Sequence, residues 1–148
     1  MRTALWPDAP PEEVAGVLAW TDEEGVVLVS ESGSGTLDGY AEVSVRPFAD
    51  GCDTGPLAYL EGLWTAPERR RSGLATGLVE AAAEWAEGRG FTELGSGCTR
   101  DNAASAAFHT SAGFEHTETV LCFRRELGGA GRAGSAPGAP GPRGHGDR

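Results

Sequence analysis

Two groups of residues in this chain have types and spacing suited to chemistry. The first is the turn Arg69-Arg70-Arg71-Ser72-Gly73-Leu74-Ala75, where Arg70-x-x-Gly73-x-Ala75 sets positive charge beside small residues. Small residues let a backbone come close to a ligand, and the N–H groups that open a helix have no acceptor within it. The pattern predicts a pyrophosphate cradle, on condition that a strand precedes it and a helix follows. A basic solvated turn is the plainer reading of the arginines alone. The second is Glu61, a lone acid in the apolar run L-A-Y-L-E-G-L-W. It either faces outward or is kept for use.

The elements that must position these residues are legible. Residues 56–65 are bounded by turn residues and rich in leucine and aromatics, which predicts a mostly buried strand. Leu74, Leu78, Ala82 and Trp85 then recur at helical spacing, and Gly88 and Gly90 end that helix. Earlier in the chain a short helix is expected from Pro11 to about Trp20, then strands over 26–30 and 39–45 joined by the turn 32–35. Residues 48–55 form a polar loop with Asp50 and Asp53. After the main helix come a short strand over 93–97, a helix over 102–112 capped by Asp101 or Asn102, and a last strand over 119–125. The order α-β-β-β-α-β-α-β predicts an α/β (α+β) fold, a mixed sheet with helices on its faces. Such a sheet binds ligands where strands splay at their carboxyl ends.

Composition bounds the function. The chain has 148 residues and a net charge of −10, with arginine as its only strongly basic residue type. Residues 128–148 are almost entirely Gly, Ala, Pro, Arg, Ser and His, and read as a disordered tail after one folded domain over 1–127. The tail carries Arg132, Arg143 and Arg148 against Asp147, so the body holds a net −12. That charge argues against nucleic acid and anionic membrane as partners and suits a cationic small molecule, although solubility alone explains it as well. Cys52, Cys98 and Cys122 give neither a zinc spacing nor a disulfide framework, and the three histidines add no metal cluster. No apolar run is long enough to span a membrane and no signal-peptide pattern opens the chain, so the cytoplasm is the default setting.

The motifs L-W-P-D at 5–8, V-R-P-F-A-D-G-C-D-T-G-P-L-A-Y-L-E-G-L-W-T-A-P-E-R-R-R-S-G-L-A at 45–75, and D-N-A-A-S with G-F-E-H-T-E near the end resemble the GCN5-related N-acetyltransferase (GNAT) superfamily. Within it they resemble the aminoglycoside 6′-N-acetyltransferases, over about residues 5–127. The resemblance implies a GNAT fold, with a mostly antiparallel sheet splayed at the cofactor site. It implies acetyl-CoA as cosubstrate, with no metal. Leu63, Trp64 and Thr65 would pair with the pantetheine arm. Arg70, Arg71, Ser72, Gly73, Leu74 and Ala75 would hold the pyrophosphate, and Asn102 would bond near the thiol. Trp6, Phe48, Glu61 and Glu118 fall where the family contacts the aminoglycoside, and a homodimer is the family expectation.

The same resemblance gives Glu61 a role as general base or amine anchor, because a protonated amine cannot attack a thioester. The N–H near Leu63 would polarise the thioester carbonyl. His109 stands where many members place a tyrosine that reprotonates the leaving thiolate, although a cap or surface histidine fits the position as well. The family carries an Asp where this chain has Gly97. Relatives also have a further strand before L-W-P, which implies either a start assigned too far downstream or a sheet without that strand and with an exposed edge. The expected activity is acetyl transfer to the 6′-amine of aminoglycosides. The alternatives are acetylation of another small amine, such as a polyamine, and a degenerate acyl-CoA-binding module without turnover. Glu61→Ala is expected to cut turnover while acetyl-CoA affinity is kept. Steady-state kinetics beside a binding titration checks this, and unchanged turnover would remove the role.

Overall fold

Along 40–46, Tyr40, Glu42, Ser44 and Arg46 alternate with Ala41, Val43 and Val45, so a strand here has one polar and one apolar side. The computed structural model, which describes residues 2–126, builds the fold around that strand. Its elements are α1 (Arg2–Leu5), α2 (Pro11–Leu18), β1 (Gly25–Glu31), β2 (Leu37–Arg46), β3 (Leu57–Thr65), a 3-10 turn at Pro67–Arg69, α3 (Leu74–Gly88), β4 (Leu94–Ser96) and α4 (Ala103–Ser111). The sheet order is β1-β2-β3-β4. The first two pairings are antiparallel, and β3 runs parallel to β4. This is the expected α/β class.

The apolar side carries the core. Ala41 and Val43 of β2 and Ala58 and Leu60 of β3 pack against Leu78, Val79, Ala82 and Ala86 of α3. The helical spacing read from the sequence is the contact stripe of α3. Removing these side chains from water is the main stabilising term of the domain. At its start α4 is capped by Asn102, whose Oδ1 accepts the Ser105 N–H at 2.9 Å. The 48–55 loop is tied down from a distance: the Glu93 carboxylate accepts the N–H groups of Asp53 at 3.2 Å and Thr54 at 2.6 Å.

The pairing of β2 with β3 has one irregularity. Glu42 faces Gly62 and Val43 faces Leu60, so Glu61 is an extra residue with no partner of its own. This is a β-bulge, which re-aims side chains and bends the strand. Glu61 bonds to Ser44 on the polar side of β2. At Gly62 a Cβ would come within 2.2 Å of the Trp6 ring, so Gly62 lets that ring lie directly on the backbone of β3. Leu63 then turns back to the core.

Two sequence expectations change. The strand expected over 119–125 is absent: residues 114–126 form no strand, and Val120, Leu121 and Phe123 are 48%, 73% and 92% exposed. The residue types favour a strand, but a strand exists only beside a neighbour to bond to, and the described residues offer this segment none. A short helix at the start, α1, was not anticipated. The expected tail at 128–148 lies outside the described residues. Among the described residues β1 pairs only with β2 and stands at the sheet edge, and no helix is long and apolar enough to cross a membrane.

Gly62→Ala is expected to push Trp6 off β3 and cost about 1–3 kcal/mol of stability. Thermal denaturation reads this as a lower Tm, and adding Trp6→Ala is expected to recover part of the loss.

Candidate active site

The arginine turn divides by function. Arg69 is held: its Nε lies 3.0 Å from the Asp38 carboxylate, which is almost fully buried. The Ala66 N–H bonds the Asp38 carbonyl at 2.8 Å, so the turn is fixed to the start of β2 at two points. The Ser72 hydroxyl donates to the Arg69 carbonyl at 2.6 Å. Arg71 and Gly73 both adopt left-handed backbone, with φ of 59° and 84°. For Arg71 that conformation costs on the order of 1 kcal/mol. The first helical bond after the turn is Gly77 N–H to Gly73 O at 2.9 Å. Among the described residues, the N–H groups of 71–76 have no acceptor, and a Cβ at Gly73 would meet nothing within 4 Å. Arg70 and Arg71 are exposed and form no ion pair among the described residues. Unbonded N–H groups, open space and two guanidinium groups without an ion pair are features that suit an anion.

The sheet opens beside this turn. The ladder of β3 with β4 ends at Leu60 and Ser96. Beyond it, Leu63, Trp64 and Thr65 keep β2 on one side, opposite Ala41, Tyr40 and Gly39. On the other side the described residues give them no strand partner. A bare strand edge therefore runs from the bulge to the arginine turn.

Glu61 stands at the head of that edge. Its carboxylate takes two bonds from Arg46, at 2.7 and 2.6 Å, and one from the Ser44 hydroxyl at 2.5 Å. It is neither a free outward-facing acid nor an isolated one. The Arg46 guanidinium also lies over the Tyr59 ring, 3.7 Å from its centroid. Burial raises the pKa of the Tyr59 hydroxyl, opposed by the nearby Arg46, so it stays protonated as a donor. At Gly97 a Cβ would come within 2.8 Å of that hydroxyl. Tyr59 therefore reaches the place where the resemblance leads one to expect an acid.

A second polar group sits at the fork. The Ser96 hydroxyl lies 3.2 Å from the Leu60 carbonyl and 2.8 Å from His109 Nε2. His109 Nδ1 lies 2.7 Å from the Ser105 carbonyl one helical turn back. Phe108 and Phe114 stand edge-on to the imidazole. His109 is thus joined through Ser96 to the peptide next to Glu61.

The model of the acetyltransferase (GNAT) family matches residues 1–114. This chain belongs to that family. An aminoglycoside N(6′)-acetyltransferase type 1 of Klebsiella aerogenes is 39% identical over 132 residues, covering 86% of this chain and 87% of the relative. The crystal structure of an aminoglycoside antibiotic 6′-N-acetyltransferase from Acinetobacter baumannii superposes with a TM-score of 0.78 at 34% identity, over 86% of this chain and 88% of that one. A relative solved in complex with the bisubstrate analog CoA-S-monomethyl-acetylneamine also gives a TM-score of 0.78, at 29% identity, over 86% of this chain and 88% of that one.

In this GNAT acetyltransferase the residues at the turn fit acetyl-CoA. The unbonded N–H groups and the open Gly73 suit a pyrophosphate, and the bare edge of Leu63, Trp64 and Thr65 suits an extended amide-bearing arm. Asn102, expected at the thiol end, accepts the Ser105 N–H at Oδ1 as the cap of α4, and its amide nitrogen makes no hydrogen bond among the described residues. Trp6 lies on Gly62, next to Glu61 in the chain. Phe48 is 75% exposed. Glu118 is exposed too, and its Cβ lies 3.4 Å from the Cβ position of Gly51, so it packs on the loop that Phe48 begins. Among the described residues the hydrogen-bond and ion-pair partners of Glu61 are Ser44 and Arg46, and neither Phe48 nor Glu118 is among them. Sequence reasoning missed Ser44, Arg46, Tyr59 and Ser96. The first two are visible in the alternation of β2; Tyr59 and Ser96 carry no such signal.

Arg69→Ala is expected to lower Tm, because a buried acid left unpaired costs about 1–3 kcal/mol. Arg70→Ala is expected to keep Tm and weaken acetyl-CoA binding about tenfold. Thermal denaturation and calorimetric titration separate the two.

Proposed function

We propose that this acetyltransferase moves the acetyl group of acetyl-CoA onto the 6′-amine of aminoglycosides. The observation that carries the reading is the similarity, over 86% of this chain, to enzymes named for that reaction. Acetyl-CoA supplies a thioester-activated acetyl group, and everything else is the work of this chain.

Arg70, Arg71 and the N–H groups that open α3 hold the pyrophosphate. The edge at Leu63, Trp64 and Thr65 bonds the pantetheine arm as an added strand would. The N–H near Leu63 meets the charge that develops on the acetyl oxygen. Trp6, Phe48 and Glu118 bound the sugar.

Glu61 receives the proton that the amine must lose. A carboxylate has about four lone-pair sites, and Arg46 and Ser44 take three of them on Glu61. The remaining site is free for the amine or for a bridging water. Arg46 contributes to the same end. A fixed cation beside an ammonium group disfavours the charged form, so the attacking free amine costs less. The pair supports a direct transfer in which Glu61 and Arg46 act together, and removing such a base costs about a hundredfold or more in turnover.

A thiol-release assay with kanamycin-type aminoglycosides, with polyamines and without acceptor tests the reading. Release with the aminoglycosides alone is expected. Release with polyamines alone would move the assignment to another amine, and acetyl-CoA binding without release would make the chain a binding module.

A further inference from the structure

The hydrogen bonds around Ser96 do not all fit a neutral His109. A hydroxyl has one hydrogen to give. If Ser96 donates to the Leu60 carbonyl at 3.2 Å, its oxygen is left to accept at 2.8 Å from His109 Nε2. His109 Nδ1 faces the Ser105 carbonyl at 2.7 Å and the Ser105 hydroxyl at 3.4 Å; the hydroxyl can give or accept, and the much shorter carbonyl contact requires Nδ1 to donate, because two acceptors do not attract. All three bonds hold together only when both ring nitrogens carry hydrogen. In the neutral ring, Ser96 turns its hydrogen to Nε2 and releases the Leu60 carbonyl. The hydroxyl therefore has two settings, and one proton on His109 chooses between them.

The place of this device matters as much as its bonds. Leu60 and Ser96 form the last pair of the β3–β4 ladder, so the hydroxyl lies where the strands separate. Ser96 is half-buried, and His109 stands behind it between Phe108 and Phe114. The contacts of the imidazole with the fork run through the serine.

We propose that Ser96 is the group that protonates the leaving thiolate of CoA, and that His109 acts through it as a positioning and proton-supplying residue. The inference rests on the acetyl-transfer reading. The amine nitrogen forms its bond to the acetyl carbon as the carbon–sulfur bond breaks. As the sulfur departs, the Ser96 hydroxyl turns its hydrogen from the Leu60 carbonyl to the thiolate and gives it up, and the serine oxygen takes the Nε2 proton of the imidazolium. His109 ends neutral, with Nδ1–H still on the Ser105 carbonyl. The ammonium substrate sheds two protons in becoming an amide. One restores the imidazolium and one passes to solvent by way of Glu61. Nothing is oxidised or reduced, and no acyl-serine forms.

The test uses the full chain with CoA, with desulfo-CoA and in turnover. Imidazole nitrogen resonances of His109 are expected to shift on adding CoA and to stay in place with desulfo-CoA, which lacks the sulfur. Ser96→Ala is expected to abolish the shift and to lower kcat roughly a hundredfold with KM for acetyl-CoA kept. Ser96→Thr, which restores a hydroxyl, is expected to recover most of the loss. Equal shifts with the two ligands, parent-level kcat in Ser96→Ala, or an acetyl group trapped on Ser96 would each overturn the relay. The resonance measurement needs only CoA binding, whereas failure of the parent chain to acetylate any aminoglycoside would count against the transfer reading itself.

Discussion

One residue inserted into β3 without a partner on β2, Glu61, bends the strand where β4 leaves it. The rest of the site follows from that bend. A regular strand would place Glu61 and Gly62 on opposite faces. The bulge instead lets Glu61 reach Ser44 and Arg46 while Gly62 meets Trp6, and Leu63 still returns to the core. The ladder with β4 ends one residue before the bulge, so that the edge over 63–65 has no strand partner on that side among the described residues. The proposed reaction centre and binding edge thus lie at one backbone irregularity.

The two faces of the sheet then divide the work. The apolar face packs small and branched side chains against α3, giving the rigidity on which the placing of the polar groups depends. The opposite face holds charge in paired form. Arg2 bonds the buried Glu42 at 3.0 Å, and Arg46 holds Glu61. Each pair keeps an acid in one place without leaving it unsatisfied in a partly dry setting. In the arginine turn Arg69 pairs with Asp38, while Arg70 and Arg71 form no ion pair among the described residues.

Much of this is legible in the sequence. The change from strand to helical period around the arginines sets out strand, turn and helix in order, and their bounds fall within a few residues of those read. The arginine cradle needs only local geometry, which is why its sequence signal is strong. The bulge is hinted at by Gly62 inside an apolar run, since glycine there marks a bulge or a close approach. What is not legible depends on residues far apart in the chain: Asp38 under Arg69, Arg46 on Glu61, Ser96 before His109. Residues 119–125 mislead for the same reason. Their types favour a strand, but pairing is a property of neighbours, and no local pattern states whether a neighbour is present.

Tyr59 and Gly97 have a bearing on how this site can change over time. The tyrosine hydroxyl fills the space that any side chain at 97 would enter, and Arg46 lies across the same ring. An acid gained at 97 alone would meet an occupied position and disturb the stacking that steadies the partner of Glu61. An acid gained after Tyr59 has shrunk would find room. The two positions are therefore coupled: what an acid at 97 does to the site depends on the side chain that stands at 59.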